Sequence, residues 1–315
     1  MDTSLNLVLQ QLSPALDSVM KLISLFGQEE VFVVIVGVLY WCVDSGLGAR
    51  LMWVVVFSSY TNSLVKWMFH LPRPYWIDTR VKAISTEVSY GLPSGHSQSS
   101  FTAYGYLAST LKRRWLWIVA GVLIVGVAAS RLYLGVHFAA DILGGWFVGL
   151  LVLMVFTRLQ APVTRWVTAK PIGLQIVAVV CFSISLLVLM VIVRSSIANA
   201  IDPPEWPVQA GPIDPRNLDV PIADQGLLLG GGLGLILMRR TARFDVRGSR
   251  RQYALRLLIG ALGVVIIRFG LGAILPREPI ETAEIFRYLR YALIALWALW
   301  LAPWIFIKFR LAAAR

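Results

Sequence analysis

The sequence is poor in charged residues, histidines and cysteines, and each shortage narrows what the protein can be. Only 15% of its 315 residues are charged, whereas 57% are hydrophobic and the mean hydropathy is +0.71. Soluble domains carry about 25% charged residues, so an ordinary soluble domain is excluded. Cys42 and Cys181 have no CxxC neighbour, which favours buried, unreactive thiols. His96 and His137 have no third ligand at metal-binding spacing.

What the chain has instead is a series of long apolar runs. A run of about 17 or more such residues is long enough to cross a bilayer as a helix. The runs predict an all-α, polytopic membrane protein with about nine transmembrane helices. The predicted spans are 26–43, 51–70, 95–111, 115–135, 137–157, 172–193, 225–238, 253–275 and 285–307.

The net charge of +12 is unevenly distributed along the chain. If the N-terminus lies outside and nine spans alternate, the inner segments hold 17 of the 29 basic residues and only Asp44 and Asp245 of the acids. This asymmetry favours that orientation, with a cytoplasmic C-terminus. The arginine-rich segment 239–251 is therefore expected to contact anionic lipid headgroups, and a nucleic-acid partner is not expected.

The pattern divides the chain into four parts. Residues 1–25 predict an amphipathic helix at the outer surface, kinked or split at Pro14. Residues 26–193 form the predicted transmembrane core and 194–224 a Pro-rich outer loop, which is a lid or a plain connector. Residues 225–315 form a C-terminal transmembrane extension, in which the glycines of 230–234 predict close helix packing.

Charged residues interrupt the apolar pattern in the stretch 130–141. His137 and Asp141 are four residues apart, which on a helix places both side chains on one face. The carboxylate can then accept the Nδ1 hydrogen and leave Nε2 with its lone pair, as a nucleophile or a base. Arg131 supplies a rigid fork suited to phosphate oxygens. Alternatively, His137 and Asp141 satisfy one another within a helix bundle.

A second polar cluster, GLPSGHSQSS, begins at residue 91. Ser94 is a good N-cap, so a helix is predicted to start near Gly95 and His96. The free N–H groups at a helix start attract anions, and His96 would place a proton donor beside them. The alternative is a capped helix with an interfacial histidine.

A third cluster follows the second predicted span. Lys66 lies near the end of that span, one turn after Asn62, which is expected to orient it. Arg73 lies between two prolines in an extended segment, which holds its guanidinium group in place. The alternative is that both cations only reach toward lipid headgroups.

Topology brings the three clusters to one membrane side. In the orientation above all three emerge at the outer face, where they assemble three cations, a helix start and two histidines, one with a carboxylate. Such a set suits a tetrahedral anion that is attacked and protonated. No carboxylate pattern suggests Mg²⁺, so the sequence favours phosphoryl transfer without a metal or other cofactor.

Taken together, the clusters resemble the three signature motifs of the type 2 phosphatidic acid phosphatase superfamily, whose relatives include vanadate-dependent haloperoxidases. The motif positions are Lys66, Arg73, Pro74, then Pro93, Ser94, Gly95, His96, then Ser130, Arg131, His137 and Asp141. Ordinary members have a core of six helices, so the chain is expected to add C-terminal helices to it. The flanks of span one are similar to the sphingosine-1-phosphate phosphatase branch, and RPYW at 73–76 to glucose-6-phosphatase.

The resemblance implies a role for each residue. His137 would attack phosphorus and form a phosphohistidine, Asp141 would orient it, and His96 would protonate the leaving oxygen and later activate water. The phosphoryl oxygens would be held by Lys66, Arg73, Ser94, Gly95 and Arg131. No metal would be needed.

A site at the outer membrane surface suits an amphiphilic substrate. The leading prediction is a phosphatase for a lipid phosphomonoester, either a long-chain-base phosphate or phosphatidate. Undecaprenyl or another polyprenyl diphosphate and then a sugar phosphate are the alternative substrates, and a transporter or flippase is the alternative outside enzymes. We expect a bacterial inner or plasma membrane, with the site facing the periplasm, the outside or a lumen. Membrane lipids are the expected partners, and an oligomer is compatible with the sequence.

Overall fold

The computed structural model is all-helical, as predicted. It describes residues 1–197, 200–206, 211, 213–241, 243–276 and 278–314, and among these only an isolated bridge pairs extended backbone. The helices are α1 Ser4–Leu9, α2 Asp17–Leu25, α3 Glu29–Val43, α4 Ser45–Phe69, α5 Pro74–Ile77, α6 Gly95–Leu111, α7 Arg114–Tyr133, α8 Ala139–Thr168, α9 Ile172–Ser196, α10 Asp219–Thr241, α11 Arg250–Ile274 and α12 Ile280–Lys308.

Each of the nine predicted spans coincides with one of these helices. In the described part of the chain, α7 to α12 are long and apolar enough to cross a membrane, and α2 with α3 forms a seventh candidate, bent by 47°. Helices α4 and α6 carry the polar residues of the site and are not among them. The chain is an integral membrane protein, and the total of nine spans stays a prediction.

The chain folds as two compact units. The first comprises Met1–Phe32, Phe57–Thr157 and Val191–Asn217, and the second Val33–Val56, Arg158–Met190 and Leu218–Arg315. Every candidate site residue lies in the first unit. The four-part division predicted from the sequence stays a prediction, except that its outer loop ends too late. Helix α10 already begins at Asp219, because Pro221 sits in the first turn, where its missing N–H is not needed.

The N-terminal segment packs its polar side inward. It forms α1, a 3₁₀ turn and α2, with the break at Pro14, and Asn6 and Gln10 are buried. Asn6 Nδ2 donates to the carbonyl oxygens of Leu132 at 2.8 Å and His137 at 3.0 Å. The apolar side chains of Leu5, Val8 and Leu12 are exposed instead. This polarity leaves an apolar face available for the membrane surface.

Glycines bring two helices of the second unit into backbone contact. A Cβ at Gly230 of α10 would lie 1.8 Å from the carbonyl oxygen of Ala292 in α12, so only glycine fits. The close packing expected for 230–234 is therefore observed. Cys42 in this unit is half-buried and Cys181 is exposed, so full burial of both thiols was wrong.

Candidate active site

Two buried cations hold the loop that leads into α6. Lys66, in the last turn of α4, donates from Nζ to the carbonyl oxygen of Tyr90 and, at 3.3 Å, to that of Gly91. Arg73 is 1% exposed and donates from Nε to the carbonyl oxygen of Ser89 at 2.6 Å and from Nη2 to that of Tyr90 at 3.1 Å. Both side chains therefore point into the protein, where they donate to carbonyl oxygens of the same loop. They do not extend toward lipid headgroups.

His137 and Asp141 form a buried pair. His137 lies in the loop before α8, not on a helix as predicted, and Asp141 is the third residue of α8. Asp141 Oδ2 lies 3.1 Å from His137 Nδ1 and accepts the Phe138 amide hydrogen at 2.9 Å. A carboxylate at this helix position commonly caps the preceding backbone N–H. The pair therefore forms across the helix start, with the carboxylate anchored to the backbone.

The second nitrogen of His137 faces Arg73. Arg73 Nη1 lies 3.1 Å from His137 Nε2 and 3.0 Å from the carbonyl oxygen of Val136. Burial, followed by the charges of Arg73 and Arg131, lowers the pKa of His137 well below its ordinary value. The imidazole is thus neutral, with its proton on Nδ1 toward Asp141 and its lone pair on Nε2.

The start of α6 lies against the His137 loop. Ser94 is the N-cap, its Oγ accepts from the Ser97 amide at 3.4 Å, and its own amide donates to the carbonyl oxygen of Asp141 at 2.9 Å. Gly145 makes this approach feasible, since a Cβ there would lie 2.7 Å from the Ser94 carbonyl oxygen. This contact joins the GLPSGHSQSS cluster to the stretch 130–141.

Gly95 and His96 occupy the first turn of α6. A Cβ at Gly95 would lie 3.2 Å from Asn62 Oδ1, while Asn62 Nδ2 donates to the carbonyl oxygen of Pro93 at 3.2 Å and to Gln98 Oε1 at 2.8 Å. Asn62 thus supports the α6 start and does not orient Lys66 as expected. His96 Nε2 is buried and has no hydrogen-bond partner among the described residues. Because buried polar atoms are normally hydrogen-bonded, this nitrogen marks a position where a ligand can bind.

Arg131 is held by a carboxylate that the sequence reasoning missed. Its guanidinium is buried and forms a short ion pair with Glu87, while Nη1 donates to Ser24 Oγ at 2.9 Å. The backbone of Glu87 is anchored by Tyr75, whose hydroxyl donates to the Glu87 carbonyl at 2.9 Å and accepts its amide hydrogen at 2.9 Å. The backbone of Glu87 is therefore held in place independently of its ion pair with Arg131.

Glu87 occupies the electropositive centre of the cluster. Burial would raise the pKa of its carboxyl group, but the charges of Arg73, Arg131, His96 and Lys66 outweigh it and lower that pKa to about 2. Three of those side chains, Lys66, Arg73 and Arg131, are the ones predicted to hold the phosphoryl oxygens, so the Glu87 carboxylate lies where the negative charge of a substrate would bind. No local pattern in segment 78–91 distinguishes Glu87 from a solvated loop acid.

The described residues of the Pro-rich loop contact the Tyr90 side of the site. Tyr90 donates its hydroxyl hydrogen to Asp202 at 2.9 Å and accepts from Arg216 Nε at 3.0 Å. The rings of Trp76 and Trp206 lie 5.7 Å apart. The described residues of this segment therefore pack against the loop that Lys66 and Arg73 hold, while its residues 198, 199, 207–210 and 212 lie outside the described part of the chain.

The donor set is suited to an oxyanion. Three buried cations and the free N–H groups at the start of α6 surround the two histidines, an arrangement that fits the oxygens of a phosphoryl group. Among the residues that the structure describes, no three His, Cys, Asp or Glu side chains lie together in a metal-binding arrangement.

Two family models match the chain. The model of the PAP2 superfamily matches residues 47–165, which contain all eight candidate site residues. The model of the PAP2 superfamily phosphatase transmembrane extension matches residues 222–315.

Several curated proteins are similar to the chain over shorter stretches. Phosphatidylglycerophosphatase B of Bacillus subtilis is 36% identical over 89 residues, covering 25% of this chain and 44% of that protein. Glucose-6-phosphatase catalytic subunit 1 of Bos taurus is 28% identical over 144 residues, covering 36% and 40%. Sphingosine-1-phosphate phosphatase 2 of Mus musculus is 31% identical over 127 residues, covering 38% and 35%. The chain thus spans less than half the length of these relatives.

Proposed function

We propose that this chain, which carries a PAP2 superfamily domain followed by the transmembrane extension of PAP2 superfamily phosphatases, hydrolyses a lipid phosphomonoester through a phosphohistidine. The observation that carries the proposal is the pairing of His137 with Asp141 beside three buried cations. The hydrogen-bond partners of these cations include a carboxylate and backbone carbonyl oxygens. An entering phosphoryl group can replace those partners, because its oxygens accept the same hydrogen bonds more strongly.

The first step follows from the different roles of the two nitrogen atoms in the His137 ring. Its Nε2 lone pair attacks phosphorus while the bond to the ester oxygen breaks, and Nδ1–H stays bonded to Asp141 and stabilises the charge that develops on the ring. Protonated His96 gives its Nε2 proton to the leaving alkoxide. Lys66, Arg73 and Arg131 hold the three equatorial oxygens, where the charge of the transition state is spread.

The second step returns the enzyme to its starting state. Neutral His96 takes a proton from water as the water oxygen attacks phosphorus, and the nitrogen–phosphorus bond to His137 breaks. Inorganic phosphate leaves, His96 is again protonated, and the electron pair returns to Nε2 of His137. Burial of both imidazoles keeps other water away from the phosphohistidine.

A lipid substrate is supported by the position of the site. Lys66 ends α4, Arg131 lies in the last turn of α7, and Asp141 opens α8, so the site is at the ends of helices rather than at their middle. The charge asymmetry favours the non-cytoplasmic side for those ends. There an amphiphile can present its phosphate while its tail stays in lipid. Of the three similar proteins described above, two are phosphatases named for a lipid phosphate and one is named for a sugar phosphate.

The test is phosphate release from the purified protein with a panel of substrates. The panel comprises a long-chain-base phosphate, phosphatidate, undecaprenyl diphosphate and glucose 6-phosphate, each with EDTA and with vanadate. We expect the lipid phosphomonoesters to have the highest kcat/KM, vanadate to inhibit and EDTA to have no effect. A preference for the diphosphate or the sugar would replace the substrate class, and chelator sensitivity would overturn the metal-free mechanism.

A histidine comparison tests the nucleophile. His137→Ala should abolish phosphate release and the acid-labile phosphoenzyme formed from ³²P-labelled substrate, because no other group supplies the attacking lone pair. His70→Ala is the matched control, since Nε2 of the His70 ring has no hydrogen-bond partner among the described residues, and it should keep most of the activity. No release by wild-type protein from any member of the panel would favour the transporter alternative.

A further inference from the structure

The second unit contains an arginine-lined cavity that shares no residue with the active site. The cavity has a volume of about 320 Å³ and lies between α11 and α12. Its polar lining is Arg268, Arg287, Arg290 and Tyr291. Arg268 stands in the π-helical turn Ile266–Gly270, which interrupts α11. Such turns are rare in α-helices and are frequent at functional sites.

The positive charge in the cavity is only partly balanced. Arg287 forms an ion pair with Asp219 at 2.7 Å, whereas the guanidinium groups of Arg268 and Arg290 lie 5.6 and 5.8 Å from the centre of the Tyr291 ring. Nε of Arg290 is buried and has no hydrogen-bond partner among the described residues. Arg268 Nη1 also donates to the Tyr291 hydroxyl oxygen, and among the described residues the one carboxylate that forms an ion pair with these arginines is Asp219, so positive charge remains available to an anion.

Gly272 lets α11 come close to one of these groups. A Cβ at Gly272 would lie 2.6 Å from Arg290 Nη1, so any side chain there would push the guanidinium away. The Arg290 guanidinium thus lies against the backbone of α11 and beside the Tyr291 ring.

The surroundings of the cavity are apolar and exposed. Phe269, Ile274 and Ile285, on the same two helices, present 64%, 76% and 60% of their surface. Both helices are long and apolar enough to cross a membrane. Arg268 precedes the end of α11 by six residues, or about 9 Å, and Arg287 follows the start of α12 by seven. The charges therefore lie near one membrane surface, with apolar side chains facing lipid beside them.

We propose that this cavity binds the phosphate group of an anionic membrane lipid. Guanidinium groups match phosphate oxygens with paired hydrogen bonds, and an arginine placed among membrane-spanning helices requires such a partner. Inorganic phosphate offers the same oxygens, but a lipid can in addition place its acyl chains against the exposed apolar side chains beside the cavity. The site binds lipid whether or not the protein turns over a substrate.

Lipid retention by the intact protein tests the proposal. The wild-type chain is placed in phosphatidylcholine nanodiscs with added phosphatidylglycerol, and the bound lipid is counted by native mass spectrometry. We expect phosphatidylglycerol to be retained, and Arg268→Gln/Arg290→Gln to reduce its retention about tenfold. The control, Arg113→Gln/Arg114→Gln, removes the same charge from an exposed pair in the first unit and should retain as much as wild type.

A second variant keeps the test decisive if the double mutant Arg268→Gln/Arg290→Gln misfolds. Gly272→Val keeps all three arginines but fills the space beside Arg290, and it should reduce retention as strongly while the protein still unfolds cooperatively. Equal retention of phosphatidylcholine and phosphatidylglycerol by wild type would overturn the proposal. So would unchanged retention in either cavity variant, and so would thermal stabilisation by orthophosphate alone equal to that by phosphatidylglycerol.

Discussion

Arg73 Nη1 lies 3.1 Å from His137 Nε2, so the atom assigned to attack phosphorus is covered by a cation of its own site. With Nδ1 of His137 directed at Asp141, the lone pair on Nε2 is the acceptor of this contact. The charged side chains of the site thus have partners within the protein. Arg73 donates to His137 and to loop carbonyl oxygens, and Arg131 forms an ion pair with Glu87. A phosphoryl group that draws the Arg73 donors to its oxygens would uncover the nucleophile as it binds.

Removing the Arg73 side chain should have two effects: it should expose Nε2 of His137, and it should impair catalysis. Arg73→Ala is expected to lower kcat/KM by about 10²- to 10³-fold, the usual loss for one donor to a developing oxyanion. It should also speed modification of His137 by diethyl pyrocarbonate, followed by mass spectrometry of the peptide that contains it. Arg80→Ala, which removes an exposed guanidinium, is the control. An unchanged modification rate would mean that Arg73 does not cover Nε2 in solution.

Asp141→Asn should separate stabilisation of the imidazole from substrate binding. Oδ2 of Asp141 accepts from both the Phe138 amide and His137 Nδ1, so the amide oxygen of asparagine can keep both contacts, but it lacks the negative charge that stabilises the ring as it becomes positive during attack. We expect kcat to fall by about 10²- to 10³-fold through this loss of charge stabilisation, with little change in KM. Asp214→Asn, in the Pro-rich loop, is the control. A change confined to KM would show that Asp141 serves binding instead.

Most of the helices and the three motifs could be predicted, because they depend on local patterns. Apolar runs of membrane-spanning length give the helices, and Ser94 followed by Gly95 gives the start of α6. The helix carrying His137 was predicted too early, since the capping of Phe138 by Asp141 moves its start to Ala139.

Contacts between distant segments could not be predicted in this way. Glu87 reaches Arg131 across 44 positions and Asn6 reaches His137 across 131, and neither residue is marked by periodicity or spacing. An acid in a polar loop and an amide on a short helix look like solvated side chains until the fold buries their partners.

Glu87 is expected to compete with the substrate for the same cations. Glu87→Gln keeps the size of the side chain but removes its negative charge, so binding of orthophosphate should tighten and its inhibition constant should fall about tenfold, the equivalent of one pKa unit of interaction. Inhibition of phosphate release by added orthophosphate measures this directly. Glu205→Gln, exposed in the Pro-rich loop, should have no effect. A raised inhibition constant would show that Glu87 is needed to position Arg131.

The acid side of the pH profile should respond to Arg131. His137 attacks when neutral, and its lowered pKa keeps it neutral at every pH above that value, so on the acid side activity falls once the pH drops below that pKa. Arg131→Gln removes one of the positive charges that, after burial, depress this pKa. The acid limb of kcat/KM should therefore move to higher pH than in wild type. The limb should stay in place for Arg80→Gln, and the same shift in that control would point to a general charge effect.

Asn6 should stabilise the catalytic loop from the N-terminal segment. Its Nδ2 donates both hydrogens, to the carbonyl oxygens of Leu132 and His137, and the side chain is 1% exposed. Asn6→Ala leaves two carbonyls at the loop without their donor, at a cost of about 2 kcal/mol. The thermal unfolding midpoint in detergent should therefore fall by several degrees, and kcat should fall with it because the His137 backbone is no longer fixed.

The neighbouring amide Gln11 is exposed, so Gln11→Ala removes a similar side chain without removing a buried bond. That variant should match wild type in both midpoint and kcat. Asn6→Asp distinguishes the two effects further, since a carboxylate fits the space but cannot donate to either carbonyl and would repel both. If Asn6→Ala loses stability while kcat is retained, the segment supports the fold only, and the loop that carries His137 is held by Arg73 and Asp141 alone.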